Sequence, residues 1–227
     1  MPQPPDLHVV DDPAADVGRL LAEQAERGGS IVLTGGSTPG SAYEHAAELQ
    51  PDWSGVELWW GDERCVPPDD ERSNYRLAKE TLLDRLAEQP HAVHRIRGEL
   101  QPAVAAEELD RALEGVRLEF LLLGLGPDGH VASLFPGSPQ LAVEDRRATS
   151  GPAGLEPWVD RVTMTMPELR SALRIVFLVA GATKADAVVR AFAGEITPDV
   201  PASLLRLAPV RVEAFLDRAA ASKLGAG

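Results

Sequence analysis

Short apolar runs alternate along the chain with longer stretches whose apolar positions recur at helical spacing. Residues 7–10, 31–34, 56–60, 120–124 and 175–180 are almost continuously apolar, as strands covered on both faces must be. Residues 93–96 and 210–215 carry the same signal more weakly. Between them, Asp12 followed by Pro13 reads as a helix cap with proline at the first helical position, and Gly28-Gly29 ends that helix. Further helices are expected over 40–49, 74–88, 102–114 and 183–193, the second turning Leu77, Leu82, Leu83 and Leu86 inward. Strands alternating with helices specify βα units. The expected fold is therefore α/β: a single Rossmann-like domain over 1–227, with a mainly parallel sheet flanked by helices and no linker, repeat or low-complexity segment.

Composition narrows the function. The 227 residues carry a formal charge of −13 with no basic stripe, which argues against nucleic acid as a partner. The same excess of acid makes any anionic ligand depend on a few local cations. One cysteine, Cys65, excludes an internal disulfide and fits a reducing compartment. The N-terminal stretch lacks the basic and apolar regions of a secretion signal, and no apolar run reaches the ~18 residues of a membrane helix, so a soluble, cytoplasmic protein without a membrane partner is expected. A monomer and a weak homodimer both remain open. His91 and His94 stand at i, i+3, but they lead into a strand and should face opposite ways, so no metal site is expected.

In an open α/β sheet, ligands collect where strands end and loops begin, and four polar motifs fall there. In "IVLTGGSTPGSAYE" the glycines Gly35 and Gly36 let backbone approach a ligand, while Ser37 and Thr38 offer amides and hydroxyls at a helix start. Read alone, this is equally a capped tight turn. In "WWGDERCVP" the strand ends on Asp62, Glu63 and Arg64. Arg64 would meet an anion as a fixed fork, with Asp62 or Glu63 holding its guanidinium. Ser73-Asn74 downstream reads as a helix cap.

The third motif, "GLGPDGHVASLF", turns on Gly124, Gly126 and Gly129 and sets Asp128 and His130 at a strand mouth, with "HVASLF" opening a short helix. Histidine is the side chain best matched to proton transfer near neutral pH, and a carboxylate two residues away would orient the ring. The fourth is "GATKADAV". Lys184, one of three lysines in the chain, stands in a first helical turn, where a cation is unfavourable unless an anion is present.

Together, "LTGGSTP", "GDERCVP" with its following "SN", "GLGPDGHVASLFPGS", "RVTMT", "GATKADAV" and "PAS" resemble the 6-phosphogluconolactonase family in content and order over nearly the whole chain. The resemblance implies hydrolysis of 6-phospho-D-glucono-1,5-lactone without a cofactor. By the same resemblance His130 would activate water or relay a proton to the ring oxygen, with Asp128 beside it. The Gly35–Thr38 loop, Arg64 and Lys184 would hold the phosphate and sugar acid. Arg161, and after it Asp62, Glu63, Asn74 and Gly129, would have supporting roles. An activated ester needs only a positioned base and an oxyanion stabiliser, which fits a chain with no nucleophile motif. The related glucosamine-6-phosphate deaminases carry an acidic residue for ring opening where this chain has Leu134-Phe135-Pro136. A non-catalytic sugar-phosphate sensor would not need Asp128 and His130.

Overall fold

In the computed structural model, which describes residues 3–225, ten strands follow one another as β1 (Asp6–Val10), β2 (Gly29–Leu33), β3 (Val56–Trp60), β4 (Asp62–Arg64), β5 (Ala92–His94), β6 (Phe120–Leu123), β7 (Ala148–Gly151), β8 (Arg161–Met164), β9 (Ile175–Val179) and β10 (Val212–Asp217). Residues 1–2 and 226–227 of the expected 1–227 domain lie outside the described residues. The main helices are α1 (Pro13–Arg27), α2 (Ser37–Leu49), α3 (Asn74–Thr81) and α4 (Pro102–Ala112), with shorter α5 (Met166–Arg170) and α6 (Ala185–Val188).

Seven strands form a sheet in the order β1-β10-β9-β6-β2-β3-β5, and every pairing in it is parallel. This is the expected Rossmann-like α/β architecture. Its central strands β6 and β9 are buried along their whole length, which explains their unbroken apolar sequence. From β2 the chain moves outward to β3 and β5, then returns to pair β6 on the other side of β2. The order therefore reverses between β2 and β6, and the carboxyl ends of these two strands open a crevice.

The three remaining strands, β4-β8-β7, form a small antiparallel sheet that the apolar pattern does not reveal. The chain leaves the main sheet at Gly61, whose N–H donates to Leu33 O at 3.0 Å and whose carbonyl accepts Met164 N at 2.8 Å. β4 thus continues β3 into the second sheet. Both sheets contribute to one buried cluster, Val162 and Met164 joining Trp60, Leu121 and Phe177.

Several expected boundaries move, each for a local reason. The helix expected over 40–49 starts at Ser37, so Ser37 and Thr38 form its first turn. The helix expected over 74–88 breaks at Leu82 (φ −126°, ψ −71°), where Thr81 Oγ1 has turned back to Leu77 O at 2.7 Å. A 3-10 turn, Leu83–Arg85, follows, and the break lets Leu82, Leu83 and Leu86 all reach the core. The stretch 183–193 is not one helix. It runs through a 3-10 turn (Ala182–Lys184), α6 and a wide π-type turn (Val189–Ala193). "HVASLF" is not helical either. Val131 and Leu134 bridge across a tight turn with both side chains buried and Ala132 at φ +48°, while Pro136 disfavours helix in the residue before it.

Candidate active site

A cleft of about 320 Å³ opens at the carboxyl ends of β2, β3, β6 and β9. Of the residues singled out in the sequence, Gly35, Gly36, Ser37, Thr38, Asp62, Arg64, Asn74, His130, Arg161 and Lys184 line it. Asp128, Glu63 and Gly129 stand behind this wall and act on the residues that form it.

The loop after β6 presents His130. Gly126 N donates to His130 O at 2.9 Å and Gly129 N to Gly126 O at 3.0 Å, which closes the loop on itself. The imidazole then lies against the Gly126 backbone: a Cβ there would stand 2.0 Å from His130 Nδ1, so only glycine fits. Asp128 Oδ1 accepts both the His130 backbone N–H at 3.1 Å and Nδ1 at 2.6 Å. A single carboxylate oxygen thus ties the ring to its own backbone. The acceptor requires the proton on Nδ1 and leaves the Nε2 lone pair available. Phe135 packs obliquely against the ring, with centroids 4.6 Å apart. Burial would raise the Asp128 carboxyl, but the hydrogen bonds and charge of His130 outweigh it and hold the group below its ordinary value.

The small sheet forms the opposite wall. Asp62 Oδ2 accepts Ser133 Oγ at 2.6 Å, and its main-chain carbonyl accepts Asn74 Nδ2 at 2.9 Å. Ser133 N also donates to Thr163 Oγ1 at 3.2 Å, so the turn after His130 is held to β4 and β8. Glu63 is buried beneath the start of α3. It accepts the N–H groups of Arg64, Asn74 and Tyr75 at 2.7, 2.8 and 2.8 Å and the Ser73 hydroxyl at 3.0 Å. Burial pushes its carboxyl upward against the pull of those donors. Neither acid grips Arg64, contrary to the expectation from sequence: Asp62 accepts the Ser133 hydroxyl and the Asn74 amide, Glu63 accepts backbone N–H groups and the Ser73 hydroxyl, and the Arg64 guanidinium donates to Arg72 O.

Arg161 stands opposite Arg64 in the β4–β8 ladder. It is buried; Nη2 donates to Pro157 O at 2.9 Å, while Nη1 has no partner. Burial, and then the facing Arg64, push its pKa down. Like charges directly opposite on paired strands destabilise a sheet, so this pair suits an anion between or beside the two groups. Its position was not readable from spacing, because 96 residues of chain separate β4 from β8 in sequence while the ladder joins them.

Lys184 lies at the end of β9 in the 3-10 turn, and its Nζ donates to Leu125 O at 2.7 Å. Burial lowers its pKa and Asp128 opposes that shift. Lys184 meets little opposing helix dipole, contrary to the expectation from sequence, since α6 is only four residues long. Gly35 and Gly36 lead directly into a full helix, α2, whose first turn holds Ser37 and Thr38. The loop is braced by Tyr43, whose buried hydroxyl accepts Thr34 N at 2.9 Å and donates to Thr34 O at 2.6 Å. Burial raises the Tyr43 pKa. Tyr43 and Ser133 escaped sequence reasoning because their partners are distant backbone and carboxylate groups. Cys65, whose thiol burial pushes up to about 11, remains apart from this chemistry. Among the described residues no group of three or more His, Cys, Asp or Glu side chains is placed to hold a metal, and no helix is long and apolar enough to cross a membrane.

The sequence pattern of the family described as glucosamine-6-phosphate isomerases/6-phosphogluconolactonase matches residues 8–213. A 6-phosphogluconolactonase from Nostoc sp. is 39% identical over 176 residues, covering 72% of this chain and 71% of that protein. Among solved structures, 6-phosphogluconolactonase from Trypanosoma cruzi superposes with a TM-score of 0.85 at 26% identity, covering 99% of this chain and 98% of its own. A monomeric glucosamine-6-phosphate deaminase shares the fold (TM-score 0.83) at 20% identity, over 96% of this chain and 99% of its own.

Proposed function

The chain belongs to the glucosamine-6-phosphate isomerase/6-phosphogluconolactonase family, and we propose that it hydrolyses 6-phospho-D-glucono-1,5-lactone to 6-phosphogluconate, as in the oxidative pentose phosphate pathway. One observation carries this reading. Arg64, Arg161 and Lys184 each donate to a main-chain carbonyl rather than to a carboxylate, and all three line the cleft that holds His130. In a chain with a formal charge of −13, three cations so placed keep their charge for a ligand.

In this reading the phosphate and sugar hydroxyls occupy the cationic wall and the Gly35–Thr38 amides, and C1 of the lactone faces His130. His130 Nε2 takes a proton from water as the water oxygen attacks C1. The tetrahedral intermediate collapses with cleavage of the bond from C1 to the ring oxygen, and that oxygen takes a proton, from the imidazolium or from solvent. Asp128 keeps the tautomer and orientation of the ring throughout. The same proposal treats the chain as one domain acting in the cytoplasm on a small sugar-phosphate lactone.

The test is disappearance of the phosphorylated lactone with purified protein, measured against its spontaneous hydrolysis. Saturable acceleration is expected. Release of ammonia from glucosamine 6-phosphate would favour the isomerase activity instead, and tight binding of phosphogluconate without turnover of the lactone would favour a sensor.

A further inference from the structure

The loop that carries Asp128 and His130 is held from outside at alternate carbonyls. Leu125 O accepts Lys184 Nζ at 2.7 Å, Pro127 O accepts Arg190 Nη2 at 2.9 Å, and Gly129 O accepts Ala202 N at 3.0 Å. All three donors come from the chain after β9. Lys184 belongs to the proposed site, and Ala202 donates through its backbone from the "PAS" stretch that is part of the family resemblance. Arg190 does not: it is exposed, does not line the cleft, and belongs to the wide turn Val189–Ala193.

That turn is closed by Gly194 N donating to Val189 O at 2.8 Å, five residues back. Its exit is fixed by Arg206 Nη1 on Gly194 O at 2.8 Å. Wide turns of this kind interrupt the regular helical ladder and occur mostly at functional sites. Here the interruption includes Arg190, whose guanidinium reaches the carbonyl of Pro127, the residue directly before Asp128. We propose that Arg190 is a positioning residue: by fixing the Pro127 carbonyl it sets the Asp128–His130 pair against the substrate without touching substrate itself. The inference rests on the reading of His130 as the base.

The consequence is specific. Loss of Arg190 frees the peptide preceding Asp128, so the 2.6 Å contact from His130 Nδ1 to Asp128 loosens, while the cationic wall that binds phosphate stays in place. A displacement well under 1 Å is enough to slow a reaction whose groups must align.

The experiment compares wild type, Arg190→Ala and Arg190→Lys by kinetics on the phosphorylated lactone and by NMR of the His130 Nδ1 proton. Arg190→Ala should lower kcat by roughly 5- to 50-fold with KM within about twofold, and the downfield Nδ1 proton signal of the short hydrogen bond should weaken or move. Arg190→Lys, which can still donate to Pro127 O, should recover most of both. Wild-type kcat and an unchanged Nδ1 signal in Arg190→Ala would overturn the inference, as would a rise in KM alone. If the wild type itself failed to turn over the lactone, the functional reading would fall, whereas the NMR comparison would still decide whether Arg190 fixes the pair.

Discussion

Arg64 and Arg161 face each other as directly paired residues on antiparallel β4 and β8, and neither guanidinium is engaged by a carboxylate. Two like charges held this close raise the energy of the empty site, and a bound dianion reverses the sign of that term. Anions should accordingly stabilise the protein. Phosphogluconate at about 100 times its dissociation constant should add ~2.7 kcal/mol, read as a rise in melting temperature. Arg161→Gln should lose most of that increment and lower kcat/KM for the phosphorylated lactone by ~1.5–3 kcal/mol. An undiminished thermal response in Arg161→Gln would remove Arg161 from the anion site.

Lys184 separates phosphate recognition from chemistry. Its contact lies away from C1 in the proposed pose, so Lys184→Ala should raise KM for the phosphorylated lactone more than it lowers kcat. Unphosphorylated gluconolactone, a poor substrate, supplies the comparison, and its residual rate should hardly change. Equal proportional losses on both lactones would show that the ammonium serves only to hold Leu125 O.

Glu63 is the brace of the wall. Four donors converge on it, three of them backbone N–H groups that no other acceptor replaces. Glu63→Ala should cost roughly 3 kcal/mol or more, because each buried donor left unpaired is expensive. Chemical denaturation measures this directly, and a loss below about 1 kcal/mol would mean that the donors find water.

Much of this was legible beforehand. The parallel sheet was readable because strands covered on both faces, such as β6 and β9, must be apolar at every position. The cleft residues were readable because glycine turns and polar residues follow those strands directly. The small sheet was not: β4, with its Asp-Glu-Arg sequence, is inward-facing and polar, and its pairing with β8 depends on a long-range ladder that no local period encodes. The turn after His130 departs from the helix its sequence suggests for a related reason. Its conformation follows from Ser133 being tied to Asp62 and Thr163, partners far away in the chain.

Glu168 gives the clearest dependence of stability on pH. Burial pushes its carboxyl from 4.5 to about 6, with Arg147 pulling down and Asp110 pushing up to lesser degrees. The folded protein therefore retains this proton over a range in which the unfolded chain has released it. Stability is favoured at low pH by this group and falls as pH rises from about 4.5 to about 6. Glu168→Gln should flatten that slope and be more stable than wild type at pH 7 by about 1–2 kcal/mol. Denaturant titrations at pH 4.5, 6 and 7 would show it; an unchanged slope would mean that the carboxyl ionises normally.

The proposed chemistry turns on the pairing of His130 with Asp128, and its decisive measurement is turnover of the phosphorylated lactone by His130→Ala. The variant should keep the wild-type melting transition and phosphogluconate binding while its kcat falls by roughly 10²–10⁴. Asp128→Asn, which leaves the base in place but loosens its orientation, should lose less. A folded His130→Ala protein that turns over the lactone at close to the wild-type rate would show that His130 is not the base.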